Sequence, residues 1–138
     1  MSIQLSVRVR NARGDALETT IGASPKLRFY SGAKPANCAA ARSGTLIAEI
    51  ALPADWLTAA SAGVKSLAGT WAGVGAAAAG AGSNVGHYAI MDNAGTNCDE
   101  QGDVTITGGG GDMTLDNINI ATGQAVTVTS FTHTEPQA

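Results

Sequence analysis

Polar and apolar positions change period along this chain. At the N-terminus Ile3, Leu5, Val7 and Val9 alternate with Gln4, Ser6, Arg8 and Arg10, the period-2 pattern of extended backbone. From Val9 the spacing lengthens. Val9, Ala12, Ala16, Leu17 and Ile21 recur at helical steps, with charges on the other face. The pattern predicts a short helix over about residues 6–21 behind an extended arm. Gly14 is a weak point within it, costing about 1 kcal/mol against Ala, and Gly22 is a C-terminal stop.

Strand patterns follow. In Lys26–Ser31, Leu27 and Phe29 share one face and Arg28 and Tyr30 the other. Residues 32–44 read as a loop. In Thr45–Leu52, Leu46, Ala48, Ile50 and Leu52 share a face, and Pro53 ends the strand because it cannot donate to a ladder. Asp55–Leu57 is expected to make one helical turn with Trp56 capping the core. Val64–Trp71 reads as a weak strand, Gly73–Ser83 as a Gly/Ala loop, and Val85–Met91 as a strand closed by the turn Asp92-Asn93-Ala94-Gly95. Gly102–Thr107, Asp112–Ile120 and Gln124–Thr134 complete the set. The stretch Gly108–Thr129, with four glycines and then two alternating runs split by Thr122-Gly123-Gln124, reads as a β-meander with a flexible hairpin tip. Seven to eight short strands with regular turn signals predict an all-β jelly roll or β-sandwich with a short N-terminal helix. The expectation is a single domain over 1–138: arm and helix 1–22, β-sandwich 23–134, loose tail 135–138.

Composition sharpens the picture. Charged residues are 14% and aromatics 4%, against about 25% charged in an average soluble domain. Such a chain has a core of small residues and little charge to resist association, so burial against partners would stabilise it. The net charge is −3, but all eight Lys and Arg lie at or before Lys65, and seven acids follow it. Such a split can set the polarity of an association unless distant strands mix the charges in space. A sequence pI of 5.1 without a basic stripe argues against nucleic acid. MSIQLSVRVR lacks the apolar run of a signal peptide, and no window approaches the ~20 apolar residues of a membrane span. Synthesis in a cytosol and no membrane partner are therefore expected.

Candidate chemistry is sparse. Cys38 and Cys98 lie in loop-like surroundings and are expected as free thiols in a reducing cytosol; spacing alone does not decide whether they pair elsewhere. With His87 and His133 they have the residue types of a zinc site but not its spacing. Gly73–Ala78 fits a loose G-x-G-x-x-A dinucleotide loop, without the buried parallel strand and long helix that motif needs. Arg13-Gly14-Asp15 spells an adhesion tripeptide but falls within the predicted helix. Asp99, Glu100 and Asp103 lack the spacing of a calcium loop and read as a solvated acidic turn. No nucleophile elbow is present. No catalytic residue, metal or cofactor is expected, and the chain is not expected to be an enzyme. Trp56, Trp71 and Tyr88 are the one set of candidates for a carbohydrate platform, and they read better as core.

Four segments resemble small virion proteins of tailed bacteriophages: Arg10–Gly32, Lys34–Ala41, Ile50–Leu57 and Gly108–Phe131. Within that class the resemblance is to capsid cement, or decoration, proteins of the kind carried by a Bordetella phage. It implies a jelly-roll domain that sits as a homodimer on the outside of an HK97-type shell and clamps neighbouring major capsid subunits. It implies a virion location and no cofactor. Gly14 stands where a large apolar residue would be expected in that family. On this reading Arg8, Arg10 and Arg13 are the candidate residues for contact with acidic groups on the shell. A tail, baseplate or fibre-associated protein is the alternative, and a carbohydrate-binding module a weaker one.

Overall fold

The computed structural model describes residues 3–137. One helix, α1 (Val7–Ile21), precedes eleven short strands. They are β1 (Lys26–Tyr30), β2 (Leu46–Ala51), β3 (Val64–Ser66), β4 (Trp71–Gly75), β5 (Ser83–Asn84), β6 (His87–Met91), β7 (Cys98–Ile106), β8 (Met113–Leu115), β9 (Asn119–Ile120), β10 (Ala125–Val128) and β11 (Thr132–Thr134). Seven form one sheet in the order β10-β4-β2-β1-β6-β7-β8, and β3–β11 and β5–β9 are two-stranded ribbons. The large sheet curls until its edges β8 and β10 touch, so it is nearly closed. Apart from α1 and a single 3-10 turn at Ala77–Ala79, the regular elements of the described residues are all β, as the period-2 runs require.

The core fills the inside of this curl. Four of the six aromatic residues form one row: Trp56–Trp71, Trp71–Phe131 and Phe131–Tyr88, with ring centroids 6.1, 5.6 and 6.0 Å apart. Leu27, Phe29, Ile47, Ile50 and Ile90 close around them. A smaller apolar cluster on the outer face holds Tyr30, Ala89 and Met91 against Leu46 and Cys98. Leu46 was expected on the inner face. A bulge between Phe29 and Tyr30 places Ile47 as the extra residue of β2, so Ile47 enters the core and Leu46 turns outward opposite Tyr30.

Several expected elements change. Asp55–Leu57 makes no helical turn; Leu57 bridges to Leu67 instead, and Trp56 is fully buried with its indole N–H donating to the Gly22 carbonyl at 3.1 Å. The Gly/Ala tract is not one loop. Its start is β4, an interior strand between β10 and β2. A Cβ on Gly75 would run into the Ala121 carbonyl, so only glycine admits that close approach. The expected meander is absent among the described residues. β8 pairs parallel with β7, β9 pairs with β5, and β10 pairs with β4 on the far edge. Gly108–Gly111 is therefore no hairpin tip. The chain doubles back so tightly that Gly108 and Gly110 take φ 87° and 83°, and a Cβ on Gly109 or Gly111 would strike Thr105.

The helix begins and ends as its sequence predicts. The Ser6 hydroxyl accepts from the Val9 N–H, and the Gly22 N–H donates to the Glu18 carbonyl. Its buried face is different. Ala12 and Ala16 are exposed, whereas Arg10, Gly14 and Ile21 are buried. Gly14 lies on this buried face, where a Cβ would meet Ala60 and Lys65 at 3.4 Å, an ordinary van der Waals contact.

Candidate functional site

The three candidate arginines sit on α1, and the structure separates them. Arg8 is exposed. Arg10 is 7% exposed, and its Nε and Nη2 both donate to the Glu135 carbonyl, at 3.1 and 2.8 Å. Arg13 pairs with the Glu135 carboxylate at 3.3 Å and donates to Gln137 Oε1 at 3.0 Å. The tail is correspondingly not loose over its described part. The Glu135 N–H donates to Gly63 O, and the Leu5 N–H donates to Gln137 O; Ala138 lies outside the described residues. Beneath Arg10 runs the turn Ala62-Gly63, with φ 52° and 78°. Its Gly63 N–H donates to Asn11 Oδ1 at 2.8 Å. Helix, turn and tail form one polar latch, outside which Arg8 faces solvent.

Lys65 of β3 completes that seam. It is almost fully buried, and its Nζ donates to Asp15 Oδ1 at 2.8 Å and lies 3.1 Å from Glu18 Oε2. Burial alone would pull the ammonium down. The two carboxylates outweigh it and hold Lys65 above the ordinary lysine value. The Lys65 hydrogen bond, helped by the Ala60 N–H, holds Asp15 below the usual carboxylate range. A cleft of about 480 Å³ opens beside this triad, between α1 and residues 54–59. Asp15, Glu18 and Asp55 face the single cation Lys65 there, so the cleft carries a surplus of negative charge.

A second polar cluster lies under β11, in a cleft of about 330 Å³. The Tyr88 hydroxyl donates to Glu100 Oε1 at 2.7 Å. His133 stands between two carboxylates, Nε2 at 3.1 Å from Glu135 Oε1 and Nδ1 at 3.8 Å from Glu100 Oε2. Glu100 Oε2 is buried without a hydrogen-bond partner among the described residues. Burial pushes the Glu100 carboxyl above the ordinary range, against the Tyr88 hydrogen bond, which favours the charged form. Burial likewise raises Tyr88, and the neighbouring Glu100 adds to it. Glu100 is thus no solvated turn residue, because β7 begins at Cys98 and carries it under Tyr88. Asp99 and Asp103 of the same run are exposed.

The remaining motifs resolve simply. Among the described residues, no group of three His, Cys, Asp or Glu is placed to hold a metal ion. Gly73 and Gly75 lie in an antiparallel strand, which excludes a dinucleotide loop there. Arg13-Gly14-Asp15 is helical, with Asp15 engaged by Lys65. Trp56, Trp71 and Tyr88 are buried and offer no glycan platform. His87 is buried against Tyr30, its Nδ1 2.9 Å from the Gly32 carbonyl. The charge split partly survives folding. Among the described residues, Arg13–Glu135 and Lys34–Asp103 join the two halves, while Lys26, Arg28 and Lys65 pair within the first. Asp99, Asp103, Asp112 and Asp116 remain exposed along β7 and the segment after it.

Sequence reasoning singled out Arg10 and Arg13 but not the tail that receives them, and it missed Lys65 and Glu100. One signal was available for Lys65: it falls between Val64 and the apolar positions of a strand pattern, where a charge needs a partner. No family model matches the chain, and neither a curated protein nor a solved structure does.

Proposed function

We propose that this chain is a structural virion protein that binds the outside of an HK97-type phage capsid, as a homodimer, and stabilises it by clamping neighbouring major capsid subunits. The observation that carries this reading is the resemblance to phage cement proteins of four segments that the fold unites. Arg10–Gly32 contains α1 and β1, Lys34–Ala41 covers the outer face, Ile50–Leu57 brings Trp56, and Gly108–Phe131 brings β8 to β10 and Phe131. Trp56 and Phe131, from two of these segments, both pack against Trp71 in the row through the core. A surface of small residues and few charges favours broad, shape-based contact over chemistry. Such a protein stabilises its shell by mass action, binding the assembled form many times over.

Within this reading Arg8 is the cation of the three that is turned outward, since Arg10 and Arg13 hold the tail. Replacing Arg8 by Ala is expected to weaken capsid binding several-fold at low salt and less at high salt, with thermal stability unchanged. Cosedimentation with capsids across a salt series measures this. Averaged micrographs of virions with and without the protein test the reading itself, which requires hundreds of copies on the head. A few copies on the tail would instead select a tail or baseplate role, the second reading that the same β scaffold supports.

A further inference from the structure

Residues 33–43 form no helix or strand, yet they run along the outer face of β7 in a fixed order. Cys98, Gln101 and Asp103 share that face, opposite Met91, Ala89 and His87 of β6; Glu100 and Gly102, opposite Ile90 and Tyr88, turn inward. The loop meets this face from Asp103 toward Cys98 and then turns back to Gln101. Lys34 Nζ donates to Asp103 Oδ2 at 2.9 Å. Gln101 Nε2 donates to the Pro35 carbonyl at 2.8 Å, and its Oε1 accepts from Arg42 at 2.9 Å. Between these contacts the loop carries Cys38 next to Cys98, close enough for the one thiol to act on the other; the Cys98 thiol itself donates to the Glu100 carbonyl at 3.4 Å. Both cysteines are half-buried. The Ala40 N–H donates to the Asn37 side chain at 3.0 Å and to its carbonyl at 3.2 Å, which holds Cys38 in a closed turn.

We propose that Cys38 and Cys98 form an intramolecular disulfide when the protein enters an oxidising thiol–disulfide pool, stapling the 33–43 loop onto β7. The contacts on either side, Lys34 on Asp103 and both Pro35 and Arg42 on Gln101, hold Cys38 next to Cys98 before any bond exists. The oxidant is a small disulfide such as oxidised glutathione. The Cys38 thiolate attacks one of its sulfurs, forming a mixed disulfide and expelling one glutathione thiolate. Cys98 then gives its proton to solvent and attacks the Cys38 sulfur, forming the protein disulfide and expelling the second. The protein loses two electrons and two protons, and the small disulfide is reduced to two thiols.

Burial pushes the Cys98 thiol up to about 12, the adjacent Cys38 thiol adds to this, and Arg42 opposes it. The second step is therefore the slow one and accelerates with pH. In a reducing cytosol the pair stays open, and outside the cell it closes. The bond closes a ring of about 60 residues and so restricts the unfolded chain. It does not depend on what the protein binds.

The test uses the purified, reduced full chain in a glutathione buffer with excess oxidised form. The expected monomer loses both thiols and about 2 Da, the two hydrogens removed. Peptide mapping returns one 38–98 cross-link. The Tm rises by at least about 4 °C, and dithiothreitol reverses it. Under the same conditions Cys98→Ser collects a glutathione adduct on Cys38, whereas Cys38→Ser keeps its thiol. Persistence of both thiols in the folded wild type would overturn the proposal. So would accumulated glutathione adducts without a cross-link, disulfide-linked dimers, or a cross-link that lowers Tm.

Discussion

Two seams hold this molecule together by opposite means. Inside the curled sheet, Trp56, Trp71, Phe131 and Tyr88 pack as one apolar row of tilted and edge-on rings. Between α1, β3 and the C-terminal tail the contacts are ionic and amide: Arg10 to the Glu135 carbonyl, Arg13 to its carboxylate, Lys65 to Asp15 and Glu18. An apolar seam tolerates imperfect register, because dispersion and the hydrophobic effect are not directional. A polar seam works only if every buried donor and acceptor is met, so it specifies one docking geometry and fails sharply when a partner is lost. The helix, poor in apolar residues on its buried face, is placed by specificity rather than by burial.

The largest expected effect lies in the apolar seam. Trp71→Ala removes the ring between Trp56 and Phe131 and should cost about 3–5 kcal/mol, lost from the global transition in denaturant melts. A loss below about 1 kcal/mol would mean the row is not the centre of the core.

Arg10→Ala comes next. It strips two donors from a buried carbonyl and should cost about 2–3 kcal/mol. Hydrogen exchange should then quicken first at the Leu5 and Glu135 amides, with the sheet little changed. Arg10→Lys should recover only part of this, since an ammonium lacks the two-pronged geometry of the guanidinium. Equal acceleration across β1 and β6 would show that the two seams are one cooperative unit.

Lys65 separates charge from volume. Lys65→Ala should cost about 2–3 kcal/mol, leaving a void and two carboxylates without their cation. Lys65→Met, which restores the volume without the charge, should recover only the packing part of that loss, because Asp15 and Glu18 still lack their cation. If both variants lose the same amount by thermal and denaturant melts, attraction rather than packing holds this part of the seam.

The smallest effect is a pH slope. The folded state raises the Glu100 carboxyl above its unfolded value, so the native protein binds that proton more tightly. Stability should therefore fall as pH rises from the unfolded value through the raised folded one, then level off. Glu100→Gln keeps an acceptor for Tyr88 and removes the titration. Relative to wild type it should gain stability across that window, read as a difference between melts at about pH 4 and pH 7. A wild-type slope unchanged in the variant would assign the pH dependence to other groups.

Much of the fold was legible in the chain. Leu27 and Phe29 alternating with Arg28, and Ser6 and Gly22 bracketing a helical period, report which face is buried and where hydrogen bonding must stop. The site was less legible. Arg8, Arg10 and Arg13 look equivalent in a polar run, yet one faces solvent and two grip a tail more than 120 residues away. Glu100 reads as one of three acids in a turn, yet it lies beneath Tyr88.

The sequence by itself determined the class of structure: an all-β body, one helix and its ends, and a core of few aromatics. Those follow from periods and stop signals, which act within a few residues. Only the tertiary structure decided that Gly108–Thr129 parts its strands between opposite edges of one sheet, that a single bulge trades Leu46 for Ile47 in the core, and that loop 33–43 lies along β7. Pairing partners are chosen by the free energy of the whole assembled sheet, and a local pattern reports that a face must be covered without saying by what.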